Sequence, residues 1–504
     1  MSERIAFPER PSLTAGPIEP AELLAGLRGL RDEVRAEAAA TLARWEPLLQ
    51  RPSYAESARN LASYLALRRT DLRAIQTTLM PLGLSSLGRC EARVMPNLDA
   101  VITALAALLG EPAREPLGTE AFFRGEQLLR AETEAVFGPQ PRDRDVRIMV
   151  TLGDEAATDS TLVHDLVLRG MDCARINCGH DDATVWEPII ANVRSASVTA
   201  KRPCRIAADL SGPRLRVAAV ADRSGDDVVR VHTGDRLALV ADATHVGRGD
   251  ALAVLSCSHP AVLARLRVGD PVWIDAGRIG AIVEKVSSDR TVMTVTSARE
   301  KGVKLRTGKG MNVPRTVLGL PPLTDKDRSD LAFLARRADI ISYSFVRDVA
   351  GVDALLAELD ALRLAPAVAV ILKIETADAV ENLPELIVHA AGRRPCAVMI
   401  ARGDLAVEIG YRRLAEMQEE MLWLCEAAHV PVIWATDVLD SLVKDGTSTR
   451  AEFTDAAMAE RADCVMLNKG TYVVEGVTTL VDVLSRMQGH QRKKTSRLRA
   501  LHAW

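Results

Sequence analysis

The apolar residues of this chain follow two rhythms, and the change between them falls near Pro141. Before that point they recur every three or four positions. Leu23, Leu24, Leu27, Leu30 and Val34 predict a helix over Glu22–Trp45, which Pro47 would stop. Further helices are expected near Ala55–Leu67, Val94–Leu109 and Phe122–Phe137, and Gly138-Pro139-Gln140-Pro141 reads as a loop and a domain boundary. From Asp145 onward, short runs that are apolar at successive positions alternate with amphipathic stretches. The runs are Arg147–Leu152, Asp172–Asn177, Arg205–Asp209, Ile340–Ser344, Ala369–Lys373, Ala397–Arg402, Val432–Thr436 and Cys464–Asn468. A continuous apolar run suits a strand buried on both faces of a parallel sheet. Helices such as Ser160–Leu168, Asp327–Arg336, Val352–Leu362 and Leu414–His429 occupy the gaps. The pattern therefore predicts an α/β fold, a (β/α)8 TIM barrel.

One gap breaks the alternation. Between the third and fourth runs lie about a hundred residues without a long helical pattern. Val228-Val229-Arg230-Val231, Leu237–Val240, Val272–Ile274, Ile279–Val283 and Thr291–Val295 read there as a small antiparallel β domain. Inserted at a loop after a barrel strand, this small β-barrel would hang over the catalytic face as a lid. The expected domains are thus 1–142, helical; 143–217 with 311–490, the barrel; 218–310, the lid; and 491–504, a basic tail. A chain of 504 residues with 48% hydrophobic content supports several cores. A net charge of -3 supplies no global basic field, so neither nucleic acid nor membrane is an expected partner. The local exception, Arg492 to Arg499, reads as a solvated tail. Eight cysteines without a C-x-x-C pair suit a reducing, cytoplasmic setting. Met1–Arg10 has no signal-peptide core, and no apolar run is long enough to span a bilayer.

Two runs end in charge. One reads Val-Ala-Val-Ile-Leu-Lys-Ile-Glu to Lys373 and Glu375; the other reads Ala-Val-Met-Ile-Ala-Arg-Gly-Asp to Arg402, Gly403 and Asp404. Barrels keep their active sites at the carboxyl ends of their strands. The barrel reading collects there Arg175, Asn177, His180, Asp209, Arg214, Arg216, Ser344, Lys373, Glu375, Arg402, Asp404 and Thr436. An ammonium and two carboxylates suit a divalent metal and an anionic substrate. Lys373 and Glu375, two apart on a strand, share a face, and buried charge without a function is costly. Asp404 also reads as a helix N-cap, His180 as a loop histidine and Arg214 as a surface ion pair. The residues alone leave these alternatives open. Met399 and Met466 read as barrel core, and Cys178 as a space-filling residue beside the site.

The chain resembles the pyruvate kinase family over roughly Arg147 to Val483. The motifs are Ala174-Arg175-Ile176-Asn177 with His180, Asp209 with Gly212-Pro213 and Arg216, and Val272-Trp273-Ile274-Asp275-Ala276-Gly277. They continue with Lys309-Gly310-Met311-Asn312, Ser344-Phe345-Val346-Arg347, Lys373-Ile374-Glu375, Ala401-Arg402-Gly403-Asp404-Leu405, Ala435-Thr436 and Thr449-Arg450-Ala451-Glu452. The resemblance implies a kinase converting phosphoenolpyruvate and ADP to pyruvate and ATP, and a homo-oligomer. It implies that Glu375 and Asp404 hold Mg2+ or Mn2+, and that Lys373 stabilises the transferring phosphoryl group and the enolate. Arg175 and Arg216 would clamp phosphate oxygens. Ser344, Gly403, Asp404 and Thr436 would bind the substrate, Thr436 near the carbon to be protonated. Asn177, His180, Asp275 and Lys309 fall on the nucleotide side.

Several positions depart from the family pattern. At the monovalent-cation region, marked by Asn177 and Asp209, the family's Ser is Gly179, its Thr is Leu210, and its Glu is Arg214. A fixed guanidinium there would replace K+, so K+ dependence is expected to be weak or absent. The family's Leu-Ser-Gly-Glu-Thr after the eighth strand appears as Leu467-Asn468-Lys469-Gly470-Thr471. That change removes the Ser and Glu associated with enolate protonation; Asp437 is a candidate to compensate. Asp154 stands in place of a Pro, and Ser211 in place of a Lys. No counterpart of the family's regulatory C-terminal domain is expected after Val483, and Leu82–Arg89 resembles a bacterial and plant subgroup of long homologues. Two alternatives follow from these departures: an enzyme acting on another enol phosphate, or a non-catalytic protein that binds ligands or partners.

Overall fold

The computed structural model describes residues 18–112, 118–222, 227–243, 250–314, 316, 318–364 and 368–497. By its contacts the chain divides into two units. One comprises residues up to Glu132 together with Trp423–Val430, and the other comprises Thr133–Leu422 with Pro431 onward.

The first unit is helical. Its main helices are Pro20–Trp45, Ala55–Leu67 and Val94–Leu108, packed on one another. The first ends where Pro47 enters a short 3-10 turn, Glu46–Leu48. Leu23, Leu27, Leu30 and Val34 form its buried stripe, and Leu61, Leu98 and Leu105 meet in the same interior. His429 belongs to this unit. Its imidazole lies between the Ser57 hydroxyl at 3.0 Å and the Ala92 carbonyl at 2.9 Å. Burial depresses its pKa to about 4.

The second unit holds a closed parallel barrel. Its strands are β1 (Arg147–Thr151), β2 (Cys173–Asn177), β3 (Arg205–Asp209) and β4 (Ile340–Tyr343). They continue with β5 (Ala369–Ile374), β6 (Cys396–Ala401), β7 (Val432–Ala435) and β8 (Cys464–Leu467). Neighbours follow chain order, and β1 closes against β8 with Arg147 opposite Cys464. Met149, Ala207, Ile371, Met399 and Met466 fill the interior, Met399 and Met466 as expected. Val136 and Phe137 join the same cluster. The end of helix Arg124–Phe137 therefore stoppers the barrel at the face where the strands begin.

Between β3 and β4 the chain builds the inserted domain. Seven strands form one sheet, and a two-stranded pair, Val228–Val231 with Val303–Arg306, is hydrogen-bonded separately and packs into the same core. Leu237, Leu255, Val272, Ile279 and Met293 make a core of its own. The sheet is not wholly antiparallel as expected, because Arg236–Val240 pairs in parallel with Ala253–Cys257. Parallel neighbours need a crossover of about a dozen residues, the number that separates these two strands in sequence.

The basic C-terminal segment also differs from expectation. Up to Arg497 it is not a solvated tail: Gln491–Arg492 pairs with Thr495–Ser496, and Lys493 bonds Asp463 at 2.6 Å. Charge draws it in. The adjacent Glu460 is buried, its pKa is pushed up to about 8 by burial and then by Asp145, and Lys493, Arg497 and Arg492 oppose that rise. Residues 498–504 lie outside the described residues.

Candidate active site

The strands end in a chain of charges. At the end of β5, the Lys373 ammonium donates to Ser344 Oγ at 2.8 Å. It lies 3.2 Å from both Asp209 Oδ2 and Glu375 Oε1. Arg175, ending β2, reaches Asp209 Oδ2 through Nε at 2.7 Å and Thr151 Oγ1 through Nη1 at 2.8 Å. Lys373, Glu375, Arg175 and Asp209 are all buried. Burial opposes the charged form of Asp209, yet Arg175 and Lys373 outweigh it and hold the carboxyl at about 2. Burial likewise opposes charge on Lys373, but Glu375 and Asp209 raise its pKa, so the ammonium stays charged. Oδ1 of Asp209 is buried without a hydrogen-bond partner.

Glu375 accepts the Phe345 amide at 2.6 Å. Phe345 has a φ of 55°, a left-handed conformation uncommon for a side chain of this bulk. Gly212, at φ +68°, makes that loop fit: a Cβ there would lie 2.8 Å from the Ser344 carbonyl. The amide of Gly212 is in turn fixed by Asp327, whose carboxylate also closes the capping box of helix Asp325–Leu334.

Asp404 lies in the first turn of helix Arg402–Ile409, whose N-cap is Ala401, so Asp404 is not that cap. It accepts Arg214 Nη2 at 2.7 Å. Arg214 also lies over the Phe345 ring at 5.6 Å. The guanidinium expected at Asn177 and Asp209 is thus spent on Asp404, and Asn177 Oδ1 accepts the Gly179 amide instead. Arg402 turns from the cluster. It bonds the carbonyls of Ala435 and Thr436, forms an ion pair with Asp455 and lies over Trp434. This fixes Thr436, a β-branched residue at φ 76°. Gly403 packs against it; a Cβ would approach Thr436 Cγ2 to 2.7 Å.

Arg216 bonds the Gly308 carbonyl at 3.2 Å and pairs in a bridge with Gly310 at the neck of the insert. Inside the insert, Lys309 bonds Asp275 at 2.8 Å. Asn177 and His180 line a cavity of about 240 Å³ with Arg175, Lys444, Asn468 and Lys469. The altered loop after β8 is therefore part of the site. Thr151, Asp327 and Asp455 support the site without having been singled out by sequence. Their roles arise from backbone angles and contacts between distant segments, which carry no local signal.

The donors fit a hard divalent cation. Burial raises the pKa of Glu375, Lys373 opposes that, and the nearby Asp404 raises it further. The buried Glu375 carboxylate and the half-buried Asp404 repel one another, and a cation between them relieves that repulsion. Among the described residues no group of three or more His, Cys, Asp or Glu is placed to hold a metal. The pair would therefore complete its coordination with substrate oxygens or water. Asp209, Glu375 and Asp404 stand against Arg175, Lys373, Arg214 and Arg216, which leaves positive charge for an anionic substrate.

Fold and site together define a (β/α)8 protein with a buried Lys–carboxylate centre under an inserted β domain. The chain belongs to the pyruvate kinase barrel family: residues 143–477 match the family described as "Pyruvate kinase, barrel domain". It is 33% identical to pyruvate kinase PKLR of Rattus norvegicus over 413 residues, 75% of this chain and 69% of that protein. The human PKLR is 31% identical, with 72% of this chain and 64% of that protein covered. The pyruvate kinase of Methylorubrum extorquens is 34% identical over 357 residues, 69% of each. A crystal structure of a pyruvate kinase from Cryptosporidium parvum superposes with a TM-score of 0.62 at 26% identity, covering 70% of this chain and 72% of that one. No helix among the described residues is long and apolar enough to cross a membrane.

Proposed function

We propose that the chain transfers a phosphoryl group from phosphoenolpyruvate to ADP, forming pyruvate and ATP. The observation that carries this reading is the buried Lys373 ammonium held between Asp209, Glu375 and Ser344, beside Arg175. Phosphoryl transfer asks little covalent chemistry of a protein; it needs positioning and charges placed where the transition state is negative. Lys373 meets the charge on the transferring group and the enolate oxygen. Arg175 and Arg216 clamp phosphate oxygens. Ser344, Gly403 and Thr436 receive the carboxylate and place the carbon that takes a proton. Asn177, His180, Asp275 and Lys309 form the nucleotide side. Glu375 and Asp404 would hold Mg2+ or Mn2+, which would neutralise phosphate oxygens there.

Dependence on K+ is proposed to be weak, since Arg175 and Lys373 already compensate Asp209. A second reading, another enol phosphate or a binding role without turnover, is favoured by Asn468 and Lys469 lining the cavity. The test is pyruvate formation from phosphoenolpyruvate and ADP with Mg2+, with and without K+. Turnover that falls about a hundredfold or more in Lys373→Met, with the fold retained, is the expected result. Unaltered turnover in that variant sinks the assignment, and strong activation by K+ sinks the cation argument. No turnover beside intact binding of phosphoenolpyruvate would favour the second reading.

A further inference from the structure

The barrel face opposite the strand ends carries a second, larger cavity, of about 610 Å³. It opens where β3, β4 and β5 begin. Four arginines line it, Arg194, Arg205, Arg336 and Arg337, with Asp339 as the acid among its lining residues. Arg194 and Arg205 share that carboxylate, at 3.0 and 3.3 Å, and the Ile206 amide also donates to it. Arg337 lies over the Phe333 ring at 3.9 Å and pairs with Glu187 at 3.4 Å. Arg336 is exposed, and among the described residues it has no hydrogen bond or ion pair. The guanidiniums thus exceed the carboxylates, and like charges gathered round one cavity repel unless an anion joins them. The rest of the lining is apolar, formed by Leu364, Val368 and Pro395 with small alanines.

We propose that this cavity binds a phosphorylated small molecule, its phosphates on the arginine wall and its uncharged body against Leu364 and Val368. Guanidinium forks match phosphate oxygens in pairs, and arginine keeps its charge at every physiological pH. A volume of this size lies within the range of small-molecule sites. The cavity lies at the starts of the strands, whereas the catalytic residues lie at their ends. The inference therefore does not depend on the proposed activity.

The experiment titrates the full chain with inorganic pyrophosphate by calorimetry at low salt. The comparison is with Arg194→Ser/Arg336→Ser and with Lys373→Met. The expected result is that the double variant loses one equivalent of binding, or binds it at least tenfold more weakly, while Lys373→Met keeps it. Isotherms that coincide for wild type and double variant would overturn the proposal, as would citrate binding there with no binding of pyrophosphate. If the double variant does not fold, Arg336→Glu alone serves, because that side chain is exposed and unpaired; it should weaken pyrophosphate binding, and an unchanged isotherm overturns the proposal equally.

Discussion

Gly403 and Thr436 show how little room the site allows a single methyl group. The glycine lies where any Cβ would press on Thr436 Cγ2 at 2.7 Å, and Thr436 is already held at a positive φ by Arg402. A Cβ there would force the Thr436 side chain to shift. Gly403→Ala should therefore lower kcat at least tenfold while leaving the cooperative melt within a few degrees; a variant with wild-type kcat would show that the contact relaxes freely. The charges of this region were legible in the sequence because Lys373 and Glu375 interrupt an otherwise apolar run, which a buried strand does not tolerate idly. Arg402 was less legible. It shares a strand end with Asp404 in sequence, yet the helix that begins there turns its guanidinium to Asp455 and the β7 carbonyls. Arg214 gave no sign of its partner, since Asp404 lies far along the chain and only the closed barrel brings the two together.

The strands were readable as elements because each is apolar on both faces, and β3 begins and ends where its run does. The insert was less so. Ala253–Cys257 and Val217–Asp222 were missed, since alanine and cysteine carry little strand signal and both strands flank polar loops. Among the helices, Ala55–Leu67 matches its expected span, yet its environment holds a titration that periodicity does not reveal. Buried His429 touches Ser57 of that helix and has a pKa of about 4, against about 6.5 in the unfolded chain. Between those values the unfolded chain binds more protons than the folded one, so stability falls as pH drops through the window and is level above it. Hydrogen exchange of Ala55–Leu67, corrected for its intrinsic pH dependence, should show protection falling by up to about 3 kcal/mol from pH ~6.5 to ~4. Flat protection over that range would mean that the imidazole finds a way to charge without unfolding.

The barrel and its insert are joined by a narrow neck. Arg216 and Gly310 are bridge partners, so the chain leaves and returns at neighbouring points. The insert also has its own core, distinct from the barrel interior. Replacing residues 217–309 with a short glycine linker should therefore leave a barrel that melts cooperatively and still binds phosphoenolpyruvate. Turnover with ADP should be lost along with Asp275 and Lys309. An insoluble or unfolded product would show that the barrel depends on the insert for its stability. The closure of β1 against β8 has a consequence in time. During synthesis β1 emerges early, but its partner Cys464–Leu467 is made roughly three hundred residues later, at about 5–20 residues per second. For something like a quarter of a minute to a minute, the nascent chain presents one flank of Arg147–Thr151 with its amides and carbonyls unpaired. The ribosome-bound protein is thus an open sheet with a sticky seam, and its yield in a cell depends on what shields that seam until the last strand arrives.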